Sequence, residues 1–215
     1  MRKVKKIFAP VLALCLALSL LAGCGGSQVK ATDYVAALHK YMCSGDKDAA
    51  KKGGVSDDTI KSFEETRKSI DSFGDLVTNS LNAEYKSMLD TQLVTDFSKA
   101  FSGCLSKIQV TTTEESKNGD EVAVKVESQY IDLNTLLQDS MKKAMEGVDL
   151  SKGDEAVKTF VTNYFKSLTD SLNNYKFPDD KKSQIIVVKK SGNSWEMKDS
   201  KNDTEILAET IIKME

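Results

Sequence analysis

The stretch from Lys107 to Ile131 constrains the fold most, because it is the clearest β-hairpin in the chain and helical segments flank it on both sides. Val122, Val124 and Val126 alternate with small or charged residues, which is typical of a strand with one buried face. The segment around Val110 shows the same alternation. The sequence therefore predicts two antiparallel strands among helices.

The turn of this hairpin fits two registers. A two-residue turn at Asn118-Gly119 would pair Val110 with Glu127 and put the two apolar rows on opposite faces. A slip of one residue moves every side chain to the other face. A three-residue loop ending at Gly119 pairs Val110 with Val126 instead, with the glycine in the left-handed position of a bulge. We expect the three-residue loop.

Length and composition limit the protein class. The chain has 215 residues, of which 40% are hydrophobic and 29% are charged. This length is enough for one domain with its own core, and the polarity excludes a protein with several membrane spans. Basic and acidic residues are interspersed, so most charges are expected on solvated faces.

Residues 1–23 have the pattern of a targeting segment. The first six residues include one arginine and three lysines, and an apolar stretch runs from Ile7 to Leu21. The sequence Leu21-Ala22-Gly23-Cys24 follows and leads into a Gly/Ser-rich stretch. This arrangement resembles the lipobox of bacterial lipoproteins, in which the cysteine is acylated after cleavage. The alternatives are an ordinary secretory peptide and an uncleaved anchor helix.

Cleavage at the lipobox would divide the chain into a signal peptide (1–23), a lipidated Cys24 with a flexible tether (24–31), and a single domain (32–215). The signal carries four basic and no acidic residues, so the mature chain has 30 − 4 = 26 basic against 32 acidic residues, a net charge of −6. An acidic domain is not attracted to nucleic acid or to anionic lipid. We therefore expect acyl chains to hold the protein on the extracytoplasmic face of the cell membrane, each buried methylene adding roughly 0.8 kcal/mol.

Helical spacing of apolar residues predicts helices on both sides of the hairpin. Thr32 or Asp33 would cap a first helix that ends near Gly45, and Ser56 would cap a later one. The helix that precedes the hairpin is expected to stop at Gly103.

After the hairpin, Asp132 is expected to cap a helix with Met141 and Met145 on its inner side. A further helix is expected from about Asp154 to Asn174. The run Ile185 to Val188 is apolar on both faces, which indicates a strand inside the sheet. A last helix is predicted from Glu205 to Lys213.

The order of elements resembles the NTF2-like (cystatin-like) α+β cone, in which a curved antiparallel sheet of about four strands packs on helices. The chain also resembles a family of Gram-positive lipoproteins that share a domain of unknown function. Besides the lipobox, the segments that carry this resemblance are Asp33-Tyr34-Val35, Gly45-Asp46, Gly54-Val55-Ser56, Tyr130-Ile131-Asp132-Leu133 and Gly192-x-x-Trp195-x-Met197. The resemblance implies the cone fold and brings no catalytic residues with it.

Residues with possible chemistry are few. His39 is the only histidine, so a catalytic triad or a multi-histidine metal site would have to be built around it. We expect it at the surface or at an interface. Asp46-Lys47-Asp48 begins like a calcium loop but lacks the later ligands, so a helix cap is the better interpretation. Glu127 and Asp132 are expected on an outward position and at a cap. The sequence predicts no metal, no cofactor and no enzymatic activity.

Cys43 and Cys104 are the cysteines that remain once the signal is removed and Cys24 is acylated. Disulfides persist in extracytoplasmic domains, and a bridge closing a loop of about 60 residues would stabilise the fold by about 4 kcal/mol. The alternative is two buried thiols.

Two functions remain open. The first is a non-enzymatic, tethered binding or envelope-accessory module for a small apolar ligand or a cell-envelope protein, with no nucleic acid as a partner. The second is a tethered NTF2-like enzyme acting on a small molecule. For the first we expect a pocket at the wide end of the cone, with Tyr130, Tyr164 and Trp195 near its mouth. A fully packed cone recognised on its outer surface is the alternative.

Overall fold

The computed structural model describes residues 29–73, 79, 86 and 89–214. Residues 1–23, which are predicted to form a signal peptide, lie outside the described residues, as do Cys24 and the segment around Gly74. The described part contains seven α-helices and six strands: α1 Ala31–Ser44, α2 Lys47–Lys52, α3 Asp57–Asp71, α4 Thr91–Leu105, β1 Val110–Asn118, β2 Glu121–Ser128, β3 Ile131–Asp132, α5 Leu133–Met145, α6 Asp154–Asn173, β4 Lys182–Ser191, β5 Ser194–Met197, α7 Ser200–Glu209 and β6 Ile212–Lys213. A 3₁₀ turn, Leu150–Lys152, precedes α6.

The strands form two sheets. Two antiparallel hairpins give a four-stranded sheet in the order β1-β2-β4-β5, and β3 pairs with β6 in a parallel two-stranded sheet. The predicted α+β class and the sheet of two hairpins are confirmed. The strand with the apolar run, β4, lies inside the sheet as predicted, between β2 and β5.

The first hairpin has a different turn from the one expected. Its two-residue turn is Gly119-Asp120, with Gly119 at a φ of 60°, and an irregularity at Glu115 shifts the pairing so that Val110 lies opposite Ser128. The expected three-residue loop is therefore wrong. The two apolar rows nevertheless share a face, because the extra residue in β1 restores the side-chain parity that a two-residue turn alone would reverse.

The inner face of the sheet carries the core. Val122, Val124 and Val126 on β2 are buried, and so are Ile186 and Val188 on β4. Helix α1 packs on β1 and β2, and α4 packs against α6. The opposite face is more open, since Ile185 on β4 is 54% exposed.

Aromatic side chains fill the space between the helices. Phe97 on α4 has its ring centroid 6.3 Å from Phe101, 6.0 Å from Phe73 and 5.7 Å from Phe165 on α6. Fully burying one such side chain stabilises the fold by roughly 1.5–3 kcal/mol. This cluster fixes α4 against α6.

The predicted helix starts agree with the structure where a polar side chain accepts a hydrogen bond from a free backbone amide. Ser56 accepts a hydrogen bond from the Thr59 amide at 3.2 Å, and Asp132 accepts one from Thr135 at 3.0 Å, as predicted. Gly45 ends α1 in the left-handed conformation. The expected cap at Thr32 or Asp33 is wrong, because α1 begins at Ala31 and has no side-chain cap.

Three other expectations are wrong because packing overrides local signals. Helix α4 continues through Gly103, which brings Cys104 and Leu105 into the core. Met141 and Met145 on α5 are 53% and 45% exposed rather than inward. The chain end is not helical as far as Lys213, because α7 ends at Glu209 and the residues after it pair with β3.

Among the described residues, no helix combines the length and the apolar character needed to cross a membrane.

Candidate functional site

The three residues predicted to line one pocket lie apart. Tyr130 follows β2 beside Lys182, the first residue of β4, whereas Trp195 pairs with Lys190 near the other end of that strand. Eight residue steps along the strand separate these lysines, which corresponds to about 26 Å. Tyr164 lies on α6, where its ring stacks on Phe160. The length of the sheet therefore keeps Tyr130 and Trp195 from lining one mouth, so the expectation of a single mouth lined by all three side chains is corrected.

Trp195 fixes Val29, the first described residue, by a hydrogen bond. Its indole Nε1 donates a hydrogen bond to the Val29 carbonyl at 2.7 Å. The neighbouring Ser194 hydroxyl donates to the Gly54 carbonyl at 2.7 Å, in the loop between α2 and α3. We name this region the entry corner, consisting of Val29, Gly54, Ser194 and Trp195. Its contacts are structural.

The polar cluster around Tyr130 is the more promising site. We name it the seam, because it joins the two-stranded sheet to the end of the four-stranded sheet. The seam consists of Tyr130, Asp132, Tyr175, Asp180, Lys182 and Lys213.

Tyr130 lies at the centre of the seam and is 4% exposed. Its hydroxyl donates a hydrogen bond to Asp180 Oδ2 at 2.9 Å. The ammonium nitrogens of Lys182 and Lys213 lie 5.8 Å and 6.0 Å from its ring centroid, within the range of cation–π attraction. The tyrosine thus links residues from β4 and β6 that are distant in sequence.

Asp132 connects the seam to α5. Its carboxylate accepts the capping bond from Thr135 and forms an ion pair with Lys213 Nζ at 3.2 Å. Its backbone amide donates to the Tyr175 hydroxyl at 2.7 Å. Lys182 Nζ donates to the Ile212 carbonyl at 3.2 Å. These contacts join β6 to Asp132 on one side and to β4 of the four-stranded sheet on the other.

The groups of the seam whose pKa is shifted keep their ordinary charge states at neutral pH. Burial first, and then the Asp180 carboxylate, raise the pKa of Tyr130 to about 12. Burial also raises the pKa of Tyr175. Partial burial acts to raise the pKa of Asp132, but the Thr135 amide and the Lys213 ammonium outweigh it and lower that pKa. None of these three groups exchanges a proton near pH 7, so they suit binding better than acid–base catalysis.

Two open grooves flank the seam. The first, with a volume of about 550 Å³, runs between α5, the end of α6 and the loop that follows. Its lining includes Asp132, Asp139, Lys143, Asp170, Asn174 and Tyr175. The second, about 770 Å³, lies between β4 and the end of the chain. Its lining includes Lys182, Gln184, Ala208, Glu209, Ile212 and Lys213. The Asp132–Lys213 ion pair joins the two linings, which contain both charges and several amide or hydroxyl groups.

His39 lies elsewhere, in the core. It is 1% exposed, not at the surface or an interface as expected, because α2 and α3 pack against α1. Its Nδ1 lies 3.8 Å from Cys43 Sγ, and its Nε2 has no hydrogen-bond partner among the described residues. Burial lowers the pKa of His39 to about 4 and raises the pKa of Cys43 to about 12. Both groups are neutral at pH 7, so this pair does not supply a reactive thiolate.

The two cysteines of the domain are buried, free thiols in the structure. A bridge between Cys43 and Cys104 stays a prediction, which a mass difference of two protons on reduction would establish.

The other acidic candidates have structural partners. Asp46 accepts the Ala49 amide at 2.9 Å, which confirms the helix-cap interpretation. Glu127 is half-exposed and pairs with Lys125 at 3.2 Å. No group of three potential metal ligands clusters within the described ranges.

Sequence reasoning missed most of the seam. It selected Tyr130, interpreted Asp132 only as a helix cap, and did not single out Tyr175, Lys182 or Lys213. The Tyr130-Ile131-Asp132 segment and the Ile-Ile-Lys segment near the chain end carry the only local signal, and their pairing is non-local.

Two comparisons with known proteins find no match, and the structure itself gives the class of fold. No family model matches the chain, and no curated protein does. The chain is an α+β domain with an open, four-stranded antiparallel sheet packed on helices.

A solved structure with this fold is ycdA of Bacillus subtilis subsp. subtilis str. 168, which is provisionally classed as a lipoprotein. The two share 19% identity, and the TM-score is 0.57. The match covers 85% of this chain and 57% of ycdA, so this chain spans little more than half the length of that protein. At this identity the match shows the fold alone.

Proposed function

We propose that the protein is a lipid-anchored, extracytoplasmic binding module whose recognition surface is the seam with its two grooves. The lipobox pattern at Cys24 supports the anchor, and the shared fold with ycdA is consistent with it. The observation that carries the binding role is the Asp132–Lys213 ion pair, which joins two open grooves at a satisfied hydrogen-bond network. The NTF2-like cone and the resemblance to Gram-positive lipoproteins of unknown function are part of this proposal.

A binding role fits the chemistry better than an enzymatic one. The shifted groups of the seam hold fixed charge states around neutral pH, and His39 is neutral in the core. An acid–base enzyme needs a group whose pKa lies near its working pH. The NTF2-like enzyme therefore remains the weaker alternative.

The partner we favour is a protein of the cell envelope. Sites for apolar small molecules are concave and largely apolar. The grooves here are open rather than enclosed, and beside their apolar surface they offer carboxylates, ammonium groups and amides, which together match the side chains and backbone of a peptide segment. Nucleic acid does not fit a mature chain with a net charge of −6, from 26 basic and 32 acidic residues.

The anchor is tested by fractionation of a Gram-positive host that expresses the full chain. Cys24→Ala should move the protein from the membrane to the soluble or secreted fraction, because the acylated residue is lost. Cys15→Ala changes another cysteine of the leader and should leave the protein on the membrane. Membrane retention of Cys24→Ala would point to an uncleaved helix instead.

The recognition surface is tested by photo-crosslinking in intact cells. A photoreactive amino acid replaces Lys176, an exposed residue lining the first groove, or Lys158, an exposed residue of α6 outside both groove linings. The first position should give a discrete protein adduct that Asp170→Lys removes, and the control position should not. Equal patterns from both positions, or no adduct from the groove, would reject the binding surface.

A further inference from the structure

We infer that the domain stands on the membrane with the entry corner toward the lipid headgroups and the seam away from them, so that partners reach the grooves from the outer side. This inference rests on the proposed lipid anchor. It assigns the membrane-facing surface and the accessible surface of the same molecule.

The entry corner fixes the point where the tether leaves the domain. Val29 is hydrogen-bonded through its carbonyl to the Trp195 indole at 2.7 Å. Its side chain packs over Gly54, where an added Cβ would lie 3.1 Å from Val29 Cγ2. Gly54 in turn is bonded to Ser194 at 2.7 Å. These contacts therefore fix Val29, where the tether enters the domain, against β5.

The tether is shorter than the sheet. Five residue steps join Cys24 to Val29, which span at most about 18 Å when fully extended. From Lys190, opposite Trp195, to Lys182 in the seam, β4 extends about 26 Å. The anchor thus keeps the entry corner close to the headgroups and leaves the seam free to be distant.

Charge favours an upright domain over one lying flat. The mature chain has a net charge of −6, from 26 basic and 32 acidic residues, and is repelled by an anionic bilayer. Near the corner, four charges neutralise one another, because Lys189 lies opposite Glu121 and Glu196 in the sheet and Lys198 pairs with Glu121 at 2.8 Å. The anchor therefore holds one end while repulsion moves the rest of the domain outward.

The test measures energy transfer from a dye on the lipidated full-length protein to an acceptor on lipid headgroups in vesicles. Asn193→Cys places the dye in the β4–β5 turn, and Ser183→Cys places it at the seam end of β4. Both positions are exposed, whereas Cys43 and Cys104 are buried and should not be labelled. Transfer from position 193 should exceed transfer from position 183 several-fold.

Two controls separate the orientation from the anchor. Labelled protein must float with the vesicles; failure to float would overturn the anchor and this orientation with it. Floating protein with equal transfer from both positions, or with more from position 183, would overturn the orientation alone. Phosphatidylglycerol vesicles should widen the difference relative to phosphatidylcholine vesicles, and a smaller difference would contradict the repulsion argument. Unchanged Trp195 emission verifies that the corner is intact in each variant.

Discussion

Two clusters of polar groups, the partly exposed seam and the buried His39–Cys43 pair, differ in how many hydrogen-bond partners they have. In the seam, the Tyr130 hydroxyl, the Asp132 carboxylate and the Lys213 ammonium all have partners. In the core, His39 meets one weak sulfur contact, and its Nε2 has no partner among the described residues. Burial alone then determines its state, and the pKa of His39 falls to about 4.

The difference shows which part of the protein is organised by specific polar interactions. Burial without a hydrogen-bond partner destabilises the charged form of a titratable group, so the group stays neutral and contributes through packing. A satisfied network fixes geometry, and in the seam it joins α5, α6 and both sheets beside two open grooves. Recognition is therefore expected at the seam, and stability from the core.

The largest effect is expected from the core. Phe97→Ala should lower the free energy of unfolding by about 3–5 kcal/mol, because the removed ring leaves a cavity among Phe73, Phe101 and Phe165. Urea denaturation measures the change. Leu150→Ala, at a residue 73% exposed, serves as the control and should be nearly neutral. A loss below 1 kcal/mol for Phe97→Ala would mean that this cluster does not hold the core.

His39 should give the next largest effect, as a dependence on pH. Its folded pKa of about 4 lies below the ordinary value of 6.5, so the unfolded chain binds the proton first as pH falls. The stability it preserves is fully present above pH 6.5 and is lost toward pH 4, by about 3 kcal/mol at most, at 1.36 kcal/mol for each pKa unit.

The measurement is the free energy of unfolding between pH 7 and pH 4. His39→Leu removes the titrating group and keeps an apolar side chain, so its stability should fall less steeply in this range than that of the wild type. Identical slopes for the two proteins would show that His39 is hydrated or paired in solution.

Tyr130→Phe should have a moderate effect in the seam. The ring and its contacts with the two lysines remain, but the hydrogen bond to Asp180 is lost, which costs about 1 kcal/mol. Because Asp180 is exposed, water replaces the lost donor. Asp180→Asn keeps an acceptor oxygen and should cost less, as equilibrium denaturation would show. A cost of several kcal/mol for Tyr130→Phe would show that water does not reach Asp180 after the hydroxyl is removed, in contradiction to the structure.

The smallest effect is expected at the ion pair between the grooves. Lys213→Met should cost less than about 1 kcal/mol, because the pair is partly exposed and Asp132 keeps its capping bond. A double-mutant cycle with Asp132→Asn, in low and high salt, measures the coupling. The coupling should shrink in high salt. Coupling that salt leaves unchanged would indicate a buried pair.

Local chemistry made part of this fold predictable. Ser56 and Asp132 were found as caps because a side-chain oxygen next to free amides is a local signal. The β4 run was placed inside the sheet because apolar residues on both faces need cover on both. Tyr130 was identified as a site candidate, but the pocket built from it was wrong, since Tyr164 and Trp195 lie on elements whose relative positions no local pattern gives.

Local patterns in the sequence are enough to predict the elements with a strong period, the two hairpins, several helix ends and the class of fold. Which distant residues come into contact depends on the packing of the elements, which no local pattern gives. The parallel pairing of Ile131 with Ile212 brings Lys213 to Asp132, and the cover of α2 and α3 buries His39. Strand pairing and burial depend on contacts across many residues, whereas periodicity and capping act within one or two turns of the chain.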